Sequence, residues 1–288
     1  MPCTKRLPLK LFGSQVQGGQ PSGLPSRKVP YLMKSFSSLY LTLGQSFKDF
    51  VLSFVHTYRH ELNTNRRDKI SAIKRFLLWH INNFFHKGPL ISPYVNHSML
   101  MLKQGVGGRG IFFTGLPDSE MAFAGHVLRS EDLFIDIGAN IGAYSVLSAA
   151  TSKAKCIACE PISETFGYLE KNVRMNNLGA LIKTKKVALG KEEGTILMTN
   201  KFGVGNYVVL NDQNEFLPTE TVLITTLDRM MVNQTRTHTL IKIDVEGYES
   251  EVFDGSEATL REDGVFGVIL ELIGQSEKYG SQAEMVHQ

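Results

Sequence analysis

Three short acidic motifs hold the residues most suited to chemistry. The first is FIDIGANIGAYS, where Asp136 stands two residues before Gly138-x-Asn140-x-Gly142. Glycines spaced this way permit a tight turn from a strand into a helix and let a ligand approach the backbone closely. A dinucleotide loop needs G-x-G-x-x-G, so that a pyrophosphate can sit on the helix N-terminus. That spacing is absent. An acid ahead of the turn suits a cationic ligand with an amino group better than a diphosphate. The second motif is Glu160, followed by Pro161. A carboxylate at the end of a second strand can accept both hydroxyls of a ribose. The third is LIKIDVEGYE, where Lys242, Asp244 and Glu246 alternate with Ile241, Ile243 and Val245. If the strand persists that far, period two places the three charges on one side. Charges inside a buried strand are costly unless paired or functional, and an ion pair of Lys242 with either acid is the structural reading.

A cationic ligand that also carries a ribose points to S-adenosylmethionine as cofactor. The rival among nucleotide folds is a nicotinamide-dependent oxidoreductase, disfavoured by the missing glycine spacing. Other candidates are weaker. GVGGRG at 105–110 opens no convincing helix and reads as a turn. His97 and His238 lack metal-ligand spacing, His126 on the helix-like AFAGHVL reads as a packed histidine and not a base, and no metal is expected. Cys156 and Cys159 form a C-x-x-C on an apolar, strand-like run. Residues three apart on a strand face opposite sides of the sheet, so these are packing residues. Free thiols suggest a reducing compartment and a cytoplasmic location.

The elements that must position these motifs alternate between short apolar strands and helices. Strands are expected at 133–137, 155–160, 181–189, 240–245 and 265–272. Helices are expected at 141–150, 163–177 and 247–260, with Ser163 as an N-cap and Phe166, Leu169 and Val173 on one face. GTILMT, GNYVVL and ETVLITTL form a further β excursion. Strands apolar on both faces and alternating with helices imply a parallel sheet covered on both sides, an α/β doubly wound fold.

Charge divides the 288 residues unevenly. Residues 1–88 hold 14 Lys+Arg against 3 Asp+Glu, a net +11, while residues 89–288 carry −8. Residues 1–30, rich in Pro, Gly and Ser, are expected to be a disordered tail. Their acid-poor composition is shared with organelle-targeting segments. Residues 31–88 are expected to form a basic helical extension. Within it Ile70, Ile73, Leu77, His80, Ile81 and Phe84 follow helical spacing with Lys69, Lys74 and Arg75 among them, so the helix either packs on its own domain, the more common case, or lies on a membrane surface. KGPLISP marks a boundary near residue 88, and residues 89–288 form the main domain.

The region from about Gly115 to Tyr279 resembles the FkbM family of S-adenosylmethionine-dependent methyltransferases. The resemblance lies in DLFIDIGANIGAYSVLSA, EPISETFGYLEKNVRMNN, ALG, TTLD, LIKIDVEGYESEVFDG and VILEL, with TGLPDSEMAFAGHVLRSEDLF as a lead-in. It implies a class I methyltransferase (Rossmann-like) sheet and O-methylation of a sugar or small-metabolite hydroxyl. Asp136, Gly138, Asn140, Gly142 and Glu160 would then hold the cofactor. Asp244 and Glu246 would stand beside the reacting groups, one of them as the base, and Asn206 would face the substrate. The expected acceptor is a small molecule or glycan, not a nucleic acid.

Methyltransferases of this class usually add two strands after the fifth. Here only 16 residues follow VILEL, and most of them are polar. The expectation is a sheet without those strands, its apolar edge at 265–272 bare and open to pairing with a second copy as a homodimer. A methyltransferase-like remnant that binds a ligand or partner without turnover is the alternative this raises.

Overall fold

The computed structural model describes residues 51, 54–55, 66–85, 88–102, 111–112, 119–201, 205–209, 217–232, 234 and 238–271. The expected tail at 1–30, all of the helix expected at 31–60 except residues 51 and 54–55, the GVGGRG turn and the residues after Glu271 lie outside these. The described residues divide into two compact units, those at 51–85 together with 111–112 in the smaller and the rest in the larger, so the expected domain at 89–288 gives up a short segment to the smaller unit.

The smaller unit holds helix α1 (Arg66–Phe85). Its inner face is apolar and buried: Phe76 meets Phe54 edge-on at 5.5 Å, and Trp79 meets Phe112 at 5.4 Å.

The larger unit begins with an antiparallel pair, β1 (Leu90–Pro93) and β2 (Met99–Leu102). Helix α2 (Ser119–Val127) follows. The core elements are then β3 (Leu133–Ile137), α3 (Ala143–Ser152), β4 (Lys155–Cys159), α4 (Ser163–Met175) and β5 (Ile182–Lys185). Strands β6 (Ala188–Leu189), β7 (Gly194–Thr199) and β8 (Thr219–Thr225) form a separate three-stranded sheet. After α5 (Leu227–Met231) come β9 (Thr239–Ile243), α6 (Glu249–Asp254), α7 (Glu257–Leu260) and β10 (Val265–Leu270).

The central sheet runs β10-β9-β3-β4-β5, parallel throughout. Chain order reverses beside β3, which is where open α/β sheets form a ligand crevice. Strands β3 and β9 are buried at every residue, as suits strands that are apolar on both faces but for Asp136, Thr239 and Lys242. Among the described residues the sheet has five strands, and β10 is one edge, half-exposed along its length.

Several boundaries differ from expectation. The strand expected at 181–189 splits into β5 and β6, which belong to different sheets. Lys185 and Lys186 fall at the break, where a polar pair suits a strand leaving the core. Among the described residues of GNYVVL, Val208 forms an isolated bridge to Met198, flanked by backbone bonds of Tyr207 and Val209 to Thr199 and Leu197. Ser163 is the first residue of α4 and Ile162 occupies the cap position. Thr165, Tyr168, Leu169, Asn172 and Val173 form the buried stripe of α4, leaving Phe166 half-buried. The helix expected at 247–260 is two short helices, interrupted at Gly255 and Ser256. Gly255 packs so closely on the carbonyl of Gly190 that a Cβ would lie 1.9 Å from its oxygen.

Candidate functional site

Strand β3 ends in a turn that runs directly into α3. Gly138 and Gly142 have φ of 75° and 86°, and Asn140 has 53°. A side chain at Gly138 would collide with the backbone: its Cβ would lie 1.8 Å from the Asp244 carbonyl oxygen. The turn is fastened to the neighbouring strand, because the Gly138 and Ala139 N–H groups donate to the Cys159 carbonyl at 3.0 and 2.9 Å. From behind, the fully buried Asn172 donates to the Ile141 carbonyl at 2.8 Å and accepts from the Met101 N–H at 2.6 Å.

Beneath the turn lies a buried charge network. Asp136 has no exposed surface and accepts the Ser145 hydroxyl at 2.7 Å. Lys242, 3% exposed, donates to Asp244 at 2.9 Å and to the Gly138 carbonyl at 3.1 Å, and lies 3.7 Å from Asp136. Burial raises the Asp136 pKa, and Lys242 only partly offsets it. Burial opposes the charge on Lys242 as well, but Asp244 and Asp136 outweigh it and the pKa stays above the ordinary lysine value. One ammonium thus ties the end of β3 and its turn to the end of β9, and these three partners offset the cost of burying it.

The third motif departs from strict alternation. Strand β9 stops at Ile243, and the Asp244 N–H donates back to the Ile137 carbonyl at 3.1 Å. Glu246 then adopts φ of 55° and Gly247 of 99°, so Glu246 is placed by a turn and not by strand period. Glu249 holds this turn, accepting the Gly247 N–H at 2.9 Å.

A cavity opens at the carboxyl ends of β3, β4 and β9. Gly138, Asn140, Glu160, Asp244 and Glu246 line one side. Ile196, Met198, Asn206 and Val208 of the three-stranded sheet and its bridge line the other, with Ile162 and Tyr248 between them. Asp136 and Gly142 do not line the cavity: Asp136 lies beneath the turn, and Gly142 backs onto Leu169. The placement of Asp136 makes it a support for the turn instead of a direct ligand contact.

Two of the lining acids are electrostatically poised. Glu160 is 6% exposed, and its oxygens accept the Asn140 and Ile162 N–H groups, each at 3.0 Å. Burial pushes its pKa up to about 7 against those two bonds. Glu246 also rises to about 7, through burial first and then repulsion from Asp244, Glu271 and Glu249. The described lining residues include three carboxylates and no Lys, Arg or His.

Residue types alone gave little notice of several supports. Ser145 and Asn172 lie inside helices as ordinary polar residues, and Tyr248 reaches the cavity only through the turn ahead of α6. The signal for Glu249 was its position just after Gly247, where a carboxylate in a helical first turn can take free N–H groups. The C-x-x-C behaves as packing: Cys156 points to the Ser145 carbonyl and Cys159 to the Met230 sulfur, on opposite faces of β4. Burial raises both thiol pKa values, that of Cys159 to about 12. Among the described residues no group of His, Cys, Asp and Glu is arranged to hold a metal ion.

Comparison with solved structures gives distant matches. The FkbM methyltransferase of Methylobacillus flagellatus KT is 14% identical, with 55% of this chain and 43% of that chain covered and a TM-score of 0.32. TYW2 of P. horikoshii, in complex with MeSAdo, is 20% identical over 35% of this chain and 37% of that one, with a TM-score of 0.30. The METTL16 MTase domain is 13% identical over 69% and 75%, with a TM-score of 0.35. The chain spans 37% to 43% of the length of the first solved structures it matches. No curated protein matches the sequence. The profile of the methyltransferase FkbM domain matches residues 136–287, just over half of the 288 residues and every cavity-lining motif, and the chain belongs to that family.

Proposed function

We propose that this protein transfers a methyl group from S-adenosylmethionine to a hydroxyl of a sugar or small metabolite, with Glu246 as the proton acceptor. The observation that carries this reading is the sign of the cavity: Glu160, Asp244 and Glu246 line it, and no basic side chain does among the described lining residues. Such a lining attracts a sulfonium and repels the pyrophosphate of a nicotinamide dinucleotide. The residues present therefore fit this cofactor. Glu160, at the end of β4, retains acceptor capacity beside its two backbone bonds and would hold the ribose. Gly138 and Asn140 would let the ligand lie against the turn backbone.

S-adenosylmethionine, when bound, supplies a methyl carbon already activated by its sulfonium. The protein then has mainly to hold the acceptor oxygen in line and remove its proton. Asp244 is committed to Lys242 at 2.9 Å. Glu246 forms no ion pair among the described residues, and its pKa of about 7 suits a base near neutral pH. Asn206 faces the same cavity and would orient the acceptor through its amide.

The test has two parts. Calorimetry should show binding of S-adenosylmethionine and none of a nicotinamide dinucleotide. A radiolabelled-methyl assay against glycans and small hydroxylated metabolites should then label at least one hydroxyl. Binding without transfer to any of these would leave a ligand-binding role, and binding of the dinucleotide alone would overturn the proposal.

A further inference from the structure

Helix α1 has two apolar faces. The inner one, with Ala72, Phe76 and Trp79, is buried within its own unit. The other is outward: Ile70, Leu77, Leu78 and Ile81 are each about half exposed, and Phe84 and Phe85 are 77% and 71% exposed. At 3.6 residues per turn these six fall on one arc, roughly a third of the circumference. The exposed Arg67 and Lys74 share that arc. Contiguous exposed apolar surface of this kind marks an interaction site.

We infer that α1 docks the protein on an anionic membrane surface, lying in the plane of the interface on its outer face. The charge of the chain selects this occupant. Residues 1–88 carry +11, and α1 itself holds Arg67, Lys69, Lys74 and Arg75 against the single acid Asp68, while residues 89–288 carry −8 and gain nothing from an anionic bilayer. Apolar side chains entering the acyl boundary beside lysine and arginine at the headgroups is how an interfacial helix binds. No helix among the described residues is long and apolar enough to cross a membrane, which fits a helix that lies on the surface. Two aromatic rings at the end of α1 provide further apolar area for that layer.

Flotation of the full chain with vesicles tests this. The protein should float with phosphatidylcholine–phosphatidylserine vesicles, much less with phosphatidylcholine alone, and less as salt rises. Leu77→Glu combined with Ile81→Glu should lower partitioning about tenfold or more, because two apolar side chains are lost from the interface. Lys74→Glu should reduce the preference for anionic vesicles. Trp79 is the sole tryptophan and is buried on the inner face, so unchanged emission confirms that the variants stay folded. A folded wild type that does not float, equal flotation on both vesicle types, or equal flotation of the double variant would each overturn the inference. A self-associating wild type that the double variant converts to monomer, with no flotation, would assign the face to a second copy instead.

Discussion

On one side of the cavity, Gly138, Asn140, Glu160 and Asp244 stand on strand ends knit together by Lys242 and by backbone bonds to Cys159 and Ile137. On the other, Ile196, Met198 and Val208 come from a short sheet and an isolated bridge, packed by apolar contact with Asn206 beside them. The first wall is fixed by geometry that few residue types can supply. The second is fixed by volume, which many side chains can fill. This difference matches the proposed division of labour: a rigid polar wall for an invariant cofactor, and an adaptable wall for an acceptor.

The largest expected effect separates chemistry from support within the polar wall. Glu246→Gln should keep cofactor binding and lose about 10²–10⁴ in turnover. Turnover of the wild type should rise as pH passes through about 7, where Glu246 sheds its proton, and then level off. A variant that loses binding together with turnover would make Glu246 a cofactor ligand and erase the distinction.

Next comes the strut. Lys242→Met removes the cation from beside Asp136, which has no exposed surface. A loss of about 3–5 kcal/mol is expected from an orphaned buried charge, read by denaturant unfolding. A loss under about 1 kcal/mol would mean that the polar wall does not depend on this ammonium.

The two glycines of the turn sharpen the same point. Gly138→Ala drives a Cβ into the Asp244 carbonyl and should cost about 2–4 kcal/mol. Gly142→Ala shares the left-handed φ but meets only the tip of Leu169, at 2.5 Å, and should cost less. Thermal melts of the pair check the order.

Glu160→Ala should weaken cofactor binding about tenfold or more, the worth of a lost charged hydrogen bond. Its pH signature has a definite sign. The folded pKa of about 7 lies above that of an unfolded glutamate, so the native state holds this proton at higher pH. The associated stability is full below the unfolded value near 4.5 and is lost as pH rises through about 7. The cofactor-free wild type should therefore lose melting temperature relative to Glu160→Gln between about pH 5 and pH 8.

The smallest effect belongs to the apolar wall. Val208→Ala should change acceptor KM and leave cofactor affinity within about threefold, because the void can be repacked. A larger change in cofactor affinity than in acceptor KM would collapse the comparison between the walls.

The sequence by itself determined the strand–turn–helix at Asp136–Gly142, the parallel sheet and the set of motifs around the cavity. Apolar runs and glycines at turn spacing are local properties of the chain, so they are legible without coordinates. Only the tertiary structure decided which acids face the cavity. Asp136 and Asp244 both follow apolar strand residues, yet one is sealed beneath the turn and the other lines the opening, because Asp136 lies within β3 opposite Lys242 and Asp244 lies one residue beyond the end of β9. The split of 181–189 into strands of two sheets, and the burial of Ala72, Phe76 and Trp79 on α1 while Ile70, Leu77, Ile81 and Phe84 stay exposed, were likewise set by what packs against each segment. Periodicity reports which residues share a face. It does not report what that face meets, since burial depends on neighbours far away in sequence.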